Sequence, residues 1–138
     1  MGLDMWLFKT DKNKNNWDGR TFIGEKDIED YDELIYWRKA NQIRKWIVNN
    51  CGYPNNGNAI KYKLTKEDLE NLIKDCKFVL DNRDNCENIM PTQSGFFFGS
   101  TGYDEYYFDD IEYTLQNVKK VLSEIDFEKE DVFYYEWW

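Results

Sequence analysis

Histidine is absent from the 138 residues of the chain. This absence excludes Ser-His and Cys-His nucleophilic sites, histidine-ligated zinc, and a general base whose unperturbed pKa lies near neutrality. Any enzyme built from this sequence therefore has to work without an imidazole group.

Cysteine is also scarce, and its spacing matches no common framework. The three cysteines, Cys51, Cys76 and Cys86, are an odd number. They form neither the paired spacing of a secreted disulfide framework nor that of a zinc knuckle. We therefore expect buried or chemically idle thiols.

Long apolar runs are missing as well. Crossing a bilayer takes about 20 consecutive apolar residues, and no stretch of this sequence approaches that length. The first residues, Met1 to Asp4, have neither the basic start nor the apolar stretch of a secretion signal. The sequence thus predicts a cytoplasmic protein without a membrane partner.

The negative charge of the chain is concentrated towards its C-terminal end. The sequence has 18 basic and 27 acidic residues, a net charge of −9, and residues 101–138 alone hold 3 basic and 11 acidic residues. Such a segment repels phosphate backbones, which argues against direct nucleic-acid binding there. Its acidity either attracts a basic partner protein or belongs to an ordinary solvated helix face, and the sequence leaves both open.

What the sequence does contain is a pattern of strands and helices rich in aromatic residues. The chain is 41% apolar and 18% aromatic, and its length suits one core, since single domains usually have about 100–150 residues. Apolar spacing predicts a polar loop or irregular hairpin at 9–26, strands at 3–8, 59–64, 95–99 and 132–138, and helices at 34–51, 66–80 and 104–125. The predicted fold is a single α+β domain over residues 1–138, with a small mixed or antiparallel sheet of about four strands packed by three helices.

The segment 91–108 carries the most informative candidate for a ligand site. Ser100 and Thr101 stand between two glycines directly before the third predicted helix, with Tyr103 next to them. Amides, hydroxyls and the positive end of a helix dipole converge in such a turn, which is how proteins hold anions. The spacing is not that of a P-loop, because Tyr103 and not a lysine follows the second glycine. The alternative is an ordinary turn in which Ser100, Thr101 or Asp104 caps the helix.

A second candidate opens the first predicted helix, at residues 36–41. Arg38 and Asn41 are one helical turn apart, so both side chains can face one ligand. The neighbouring ring of Trp37 or of Tyr36 offers a stacking surface for a base or the guanidinium. The alternative is that Trp37 fills the core while Arg38 forms a salt bridge with the acidic start of the third helix.

Carboxylates give a weaker candidate for a metal site. Glu105 and Asp109 are one helical turn apart, and Asp104 precedes them. Facing carboxylates bind Mg²⁺ or share a proton. In a segment this acidic chance supplies such pairs, so we predict neither a metal nor another cofactor.

Several long motifs carry a resemblance to a known group of proteins. They are Gly2–Met5, YWRKAN at 36–41, Trp46, PTQSGFFFGST at 91–101 and YDEYYF at 103–108. In these motifs the chain resembles an uncharacterised family of small phage, prophage and Gram-positive bacterial proteins. The resemblance spans nearly the whole chain and implies a phage or mobile-element setting, with the host cytoplasm as location. It implies no catalytic residue, but small acidic proteins of this setting often inhibit host factors or sequester defence signals.

These observations predict a non-enzymatic binding protein. We expect it to capture a small anionic ligand, of which a nucleotide is one candidate, between the first helix and segment 91–108. The predicted ligand-binding residues are Trp37, Arg38, Asn41, Ser100, Thr101 and Tyr103. The alternatives are an acidic inhibitor of a basic host protein, and a carboxylate- or metal-dependent phosphoesterase that uses Asp104, Glu105 and Asp109. The sequence leaves the oligomeric state open.

Overall fold

A computed structural model describes residues 2–24 and 26–138. The strands in this part of the chain are β1 (Asp4–Asp11), β2 (Trp17–Asp18), β3 (Thr21–Phe22), β4 (Tyr31–Arg38), β5 (Tyr62–Leu64) and β6 (Glu130–Trp137). They form one open antiparallel sheet in the order β2-β3-β5-β6-β1-β4. The long pairings of β1 with β4 and with β6 make the middle of the sheet.

Four α-helices of the described residues pack against one face of this sheet. They are α1 (Asn41–Cys51), α2 (Lys66–Asp81), α3 (Cys86–Ile89) and α4 (Glu105–Glu124), with a short 3-10 helix, Arg83–Asn85, before α3. Alternate strand residues, such as Leu7 and Tyr134, join apolar residues of all four helices in one buried core. The fold is therefore α+β, as predicted. No helix in the described part of the chain is long and apolar enough to span a membrane.

Several predicted elements are confirmed where the signal is local. The strands near both ends and the helices α2 and α4 lie close to their predicted positions, and β2 and β3 form the irregular hairpin. α2 begins with a capping box: Thr65 Oγ1 accepts from the Asp68 amide at 3.1 Å, and Asp68 Oδ2 accepts from the Thr65 amide at 2.8 Å. These bonds satisfy amides that a helix start leaves unpaired. The three cysteines are buried, also as predicted.

The prediction of a helix beginning at residue 34 is wrong, because residues 31–38 form strand β4. Ile35 and Trp37 are 2% and 3% exposed, whereas Tyr36 between them is 37% exposed. This alternation is the period of a strand that buries one face. The apolar residues of this stretch fit one helical period in the sequence because β4 ends at Arg38 and α1 begins soon after it, at Asn41.

The prediction of a buried strand at 95–99 is also wrong. The segment forms a turn, in which the Phe98 amide donates to the Gly95 carbonyl oxygen at 3.1 Å. Phe96 is 95% exposed while Phe98 is 5% exposed, so the aromatic run does not enter a sheet. Gly99 has a φ of +81°, a left-handed conformation that ends the turn and that glycine adopts readily.

The numbers of strands and helices also differ from the prediction. In residues 2–24 and 26–138 the sheet has six strands instead of about four, and four helices are present instead of three. β2, β3 and α3 are two to four residues long. Elements this short contain too few residues to show a period in the sequence.

A fully buried ion pair joins α1 to β6. The side chains of Arg44 and Glu136 are each 0% exposed. Arg44 Nε donates to the two Glu136 carboxylate oxygens at 2.9 and 3.0 Å. The other guanidinium nitrogens donate to Gln93 Oε1 at 3.0 Å and to the carbonyl oxygens of Asn55 and Gly57 at 3.0 and 3.1 Å. The charge on Arg44 is thus shared among several acceptors.

Glu136 is held by further donors. Its carboxylate accepts hydrogen bonds from the Tyr134 hydroxyl at 2.9 Å and from the Trp138 indole nitrogen. Burial raises the pKa of Glu136 above its ordinary value, although Arg44 and these donors oppose that shift. A buried charge is tolerated only when it is paired and hydrogen-bonded, and this pair meets both conditions.

We expect Arg44→Ala to lower the free energy of unfolding by about 3–5 kcal/mol, because it leaves a buried carboxylate unpaired. Urea denaturation followed by circular dichroism measures the change. Arg38→Ala is the matched control: Arg38 also pairs with a carboxylate, Asp4, but it is exposed and should change the midpoint little. Similar midpoints for the two variants would contradict the structural role assigned to the Arg44 pair.

Candidate functional site

An open cavity of about 310 Å³ lies where the end of β4, the start of α1 and the loop before α4 meet. Its lining residues include Arg38, Lys39, Gln42, Ser100, Asp104, Tyr106, Asp109 and Asp110. Cavities near this size suit small ligands when a few polar groups converge in them. Arg38 and Ser100, which the sequence indicated separately, thus line one cavity.

Two cationic side chains form one wall of this cavity. Lys39 has a φ of +56°, which is uncommon for a residue other than glycine. Its amide donates to the Leu3 carbonyl oxygen at 2.7 Å, which fixes the turn between β4 and α1. A Cβ built on Gly2 would lie 2.7 Å from Lys39 Cε and 2.9 Å from Arg38 Nη2. Because Gly2 has no side chain, both cations can approach the same place.

Arg38 is shared between the cavity and the outer face of the sheet. Its Nη1 donates to Asp4 Oδ1 at 2.7 Å, and the Tyr36 hydroxyl donates to the same carboxylate. Burial alone would raise the pKa of Asp4, but the hydrogen bonds from Tyr36 and Arg38 outweigh it and lower the pKa. Arg38 therefore pairs with Asp4, and not with the acidic start of α4 as one interpretation of the sequence expected.

Asn41 shapes the cavity without facing it. Its Nδ2 donates to the carbonyl oxygens of Phe98 and Ser100, both at 2.9 Å, and its Oδ1 accepts from the Gln93 amide at 2.9 Å. The residue is 1% exposed. Since its amide group is already bonded on both sides, Asn41 holds the loop before α4 against α1 and has little capacity left for a ligand.

The start of α4 is capped from within the chain. Asp104 Oδ1 accepts from the Tyr107 amide at 3.1 Å, which is the capping arrangement that the sequence left open as an alternative. The Ser100 hydroxyl oxygen accepts from the Gly102 amide at 3.1 Å. The hydroxyl hydrogen of Ser100 can still be donated, so this residue keeps a role at the cavity wall.

The opposite wall of the cavity is acidic. Burial raises the pKa of Asp110 to about 6, and the neighbouring charges of Asp109 and Asp104 add to the rise, while a hydrogen bond from Gln42 opposes it. A carboxyl group with such a pKa changes its protonation close to neutrality. Perturbed groups that line a cavity are frequent at functional sites, which makes Asp110 a candidate ligand contact.

The remaining predicted residues lie away from the cavity surface. Trp37 is 3% exposed, and its indole nitrogen donates to Thr114 Oγ1 at 2.8 Å inside the core. Thr101 and Tyr103 brace the loop: the Thr101 carbonyl oxygen accepts from Thr92 Oγ1 at 3.0 Å, and the Tyr103 hydroxyl accepts from the Thr92 amide at 3.2 Å. Trp37 thus cannot stack on a ligand in this cavity.

Sequence reasoning missed several lining residues, among them Lys39, Gln42, Tyr106 and Asp110. Lys39 and Gln42 adjoin the predicted residues Arg38 and Asn41, but the predicted helix did not foresee the turn at Lys39 that joins β4 to α1. Tyr106, which is 81% exposed, is an aromatic residue on the solvent side of a predicted helix, and that signal was readable. Nothing in the sequence marks Asp110, because its altered pKa comes from burial.

The carboxylates named as weak metal candidates do not gather at one point. Asp104 caps α4, and Glu105 lines a different surface hollow together with Asp109 and Arg83. Within residues 2–24 and 26–138 no group of three or more histidine, cysteine or acidic side chains is arranged to hold a metal ion.

No protein-family model, no curated protein and no solved structure matches the chain.

We expect Asp110→Asn to stabilise the protein at about pH 7 and not at about pH 4. The pKa of Asp110 is about 6 in the folded protein against an ordinary value of 3.8. The folded state therefore binds the extra proton, and the wild-type chain loses stability as the pH rises through this interval, whereas asparagine stays neutral. Urea midpoints of both proteins at the two pH values measure the effect. A stability difference that does not change with pH would refute the assignment.

Proposed function

We propose that this protein is a non-enzymatic binding protein that captures a small ligand through an anionic group, in the cavity between the β4–α1 turn and the loop before α4. The observation that carries the proposal is that Arg38, Lys39 and Ser100 line one open cavity. Charge-assisted hydrogen bonds from such groups are stronger than neutral ones and fix the orientation of an anion.

The two cations of the cavity wall are not fully paired with carboxylates and can bind an anionic group of a ligand. Arg38 uses Nη1 for Asp4, while Nη2 lies beside Gly2 and Lys39. Lys39 has no salt-bridge partner among the carboxylates of the described residues. Its left-handed backbone conformation is energetically unfavourable and persists only because the surrounding structure holds it. Residues with such strained backbones are frequent at ligand sites.

The acidic wall restricts which anions fit. Asp104, Asp109 and Asp110 line the same cavity as the two cations, so a bare anion such as inorganic phosphate gains at one wall and is repelled at the other. A ligand with an anionic group at one end and hydrogen-bond donors at the other satisfies both walls. Asp110 and Gln42 would receive the donor end.

A nucleotide with an exocyclic amine has this distribution of groups. Its phosphate would pair with Arg38 and Lys39, and its amine would donate to Asp110. The ring of Tyr106 lines the cavity and is 81% exposed, which makes it the stacking surface that Trp37 does not supply.

The cysteines do not supply a nucleophile to this cavity, because all three are buried and none lines it. Burial raises the pKa of both Cys51 and Cys76 to about 12, so neither forms the reactive thiolate near neutrality. Capture without chemical change is the simplest use of the arrangement. In the phage or mobile-element setting that the sequence resemblance implies, such capture would sequester a nucleotide signal of a host defence.

A second candidate function is inhibition of a basic host protein through α4. Glu105, Asp109 and Glu112 are exposed on this helix, and Tyr106 is exposed on the same helix. An exposed aromatic residue within a charged rim is a common centre of protein interfaces. Capture of a basic protein that fails at about 500 mM salt and requires these carboxylates would favour this function over ligand capture.

A thermal-shift titration of the full chain tests the ligand proposal. AMP and CMP should raise the Tm saturably, and IMP, which lacks the amine, should raise it less, since only a ligand that binds the folded state stabilises it. Arg38→Ala should weaken AMP binding at least about tenfold in calorimetry. Lys77→Ala, which removes an exposed cation from α2, is the matched control. An unchanged Tm across mononucleotides and cyclic nucleotides would refute the proposal.

Lys39→Gly separates a binding role of Lys39 from a structural one. Glycine adopts a positive φ without the steric cost of a side chain, so the Tm of this variant should stay level or rise slightly. The affinity for AMP should nevertheless fall, because the cation is lost. A clear loss of stability together with unchanged AMP binding would show that Lys39 serves the turn alone.

A further inference from the structure

The face of the sheet that the helices leave uncovered carries a row of aromatic rings. Tyr36 of β4, Trp6 of β1 and Tyr135 of β6 are paired across the sheet. The ring centroid of Trp6 lies 5.6 Å from that of Tyr36 and 5.8 Å from that of Tyr135. Phe8 and Phe133 form a second pair on the same face, with centroids 5.4 Å apart. The three central strands thus present a continuous aromatic surface.

This surface forms a shallow hollow. Phe133 is 1% exposed and belongs to the floor, whereas Tyr31, which also lines the hollow, is 45% exposed. Tyr36, which is 37% exposed, continues the aromatic row beside Trp6. The hollow has a volume of about 260 Å³, and its lining includes Trp6, Tyr135 and the pair Asp27 and Lys61. An aromatic floor with a few polar groups at one side is suited to a ligand with apolar faces.

The charges around the hollow are already paired. Lys61 Nζ lies 2.8 Å from Asp27 Oδ1, and it also lies 5.4 Å from the centre of the Tyr135 ring. Lys63, on the same face, is 3.8 Å from Asp131. An anionic ligand would have to break these pairs to reach a free cation. A neutral ligand with hydroxyl groups can bond to both members of a pair without separating them.

We propose that this face binds a neutral oligosaccharide. The C–H faces of its pyranose rings would stack on Trp6 and Tyr135, where the negative face of an aromatic ring attracts the polarised hydrogens. Its hydroxyl groups would donate to Asp27 and accept from Lys61. The row from Tyr36 through Trp6 to Tyr135 consists of three adjacent rings, with centroids 5.6 and 5.8 Å apart. A row of this length fits several linked sugar units better than a single one.

Single-stranded nucleic acid is the competing occupant, since it also stacks on aromatic sheets. Its affinity depends on cations that neutralise phosphates, and such binding weakens steeply with salt. Lys61 and Lys63 are both matched by carboxylates, so the face offers few free cations. The charge balance therefore favours the neutral ligand.

Calorimetric titration of the full chain with cellohexaose, xylohexaose and chitohexaose tests the proposal, with oligothymidylate as the competing probe. At least one hexasaccharide should bind saturably, with an affinity that is unchanged between about 50 and 500 mM NaCl. No binding of any hexasaccharide at about 10 mM would overturn the proposal. So would tighter, salt-sensitive binding of oligothymidylate, which would assign the face to nucleic acid.

Variants then locate the binding. Trp6→Ala and Tyr135→Ala should each lower the hexasaccharide affinity at least about tenfold, a loss in the range of a stacked aromatic contact. Trp6→Phe keeps a flat ring and should retain most of the affinity, which guards against a general folding defect. Phe78→Ala is the aromatic control, because Phe78 is 44% exposed on α2. Equal losses in Phe78→Ala and Trp6→Ala would reject the assignment.

Discussion

The buried ion pair between Arg44 and Glu136 is the contact on which the geometry of the cavity depends. It joins α1 to the end of β6, and through Gln93 it reaches the loop that leads to α4. The Gln93 amide donates to Asn41 Oδ1 at 2.9 Å, and its side chain donates to Asn55 Oδ1 at 2.8 Å. The segment that leads to α4 is thus held in place by a satisfied charge pair in addition to the helices and strands around the cavity. Because a buried pair is stable only while its acceptors stay in place, the loop and the pair hold each other in one arrangement.

Backbone conformation complements this constraint on the other side of the cavity. Lys39 and Gly99 both have a positive φ. They lie against each other: a Cβ on Gly99 would be 3.1 Å from Lys39 Cβ. The turn after β4 and the loop before α4 therefore meet in close contact, and a side chain at Gly99 would crowd the stem of Lys39. Asn41, two residues after Lys39, then bonds the carbonyl oxygens on either side of Gly99. The two segments meet as a packed junction, which is why their cations and carboxylates share one cavity.

Local signals predicted the parts of the fold that local contacts determine. The capping box of Thr65 and Asp68 is visible in the sequence, and α2 begins there in the structure. Residues 31–38 carry apolar positions that suit a strand and a helix alike, and only their pairing with β1 decides for a strand. The same limit applies to the site. Arg38 and Ser100 were readable from their residue types, whereas the burial of Trp37 follows from a strand register that a single sequence does not reveal.

Pairing of charges, more than their number, distinguishes the two surfaces. On the outer face of the sheet Lys61 and Asp27 neutralise each other at 2.8 Å, and a ligand there gains chiefly from ring stacking. In the cavity Lys39 is unpaired among the described residues, while Asp110 keeps a raised pKa, mainly because burial disfavours its charge. Lys39 and Asp110 both gain when a group of complementary charge or hydrogen-bonding capacity enters the cavity. Arg38 lies at the boundary, since one terminal nitrogen bonds Asp4 and the other lies beside Lys39. An anion in the cavity would compete with Asp4 for this guanidinium. Its capture would therefore weaken the ion pair between Arg38 and Asp4, beside Tyr36 at the edge of the aromatic face.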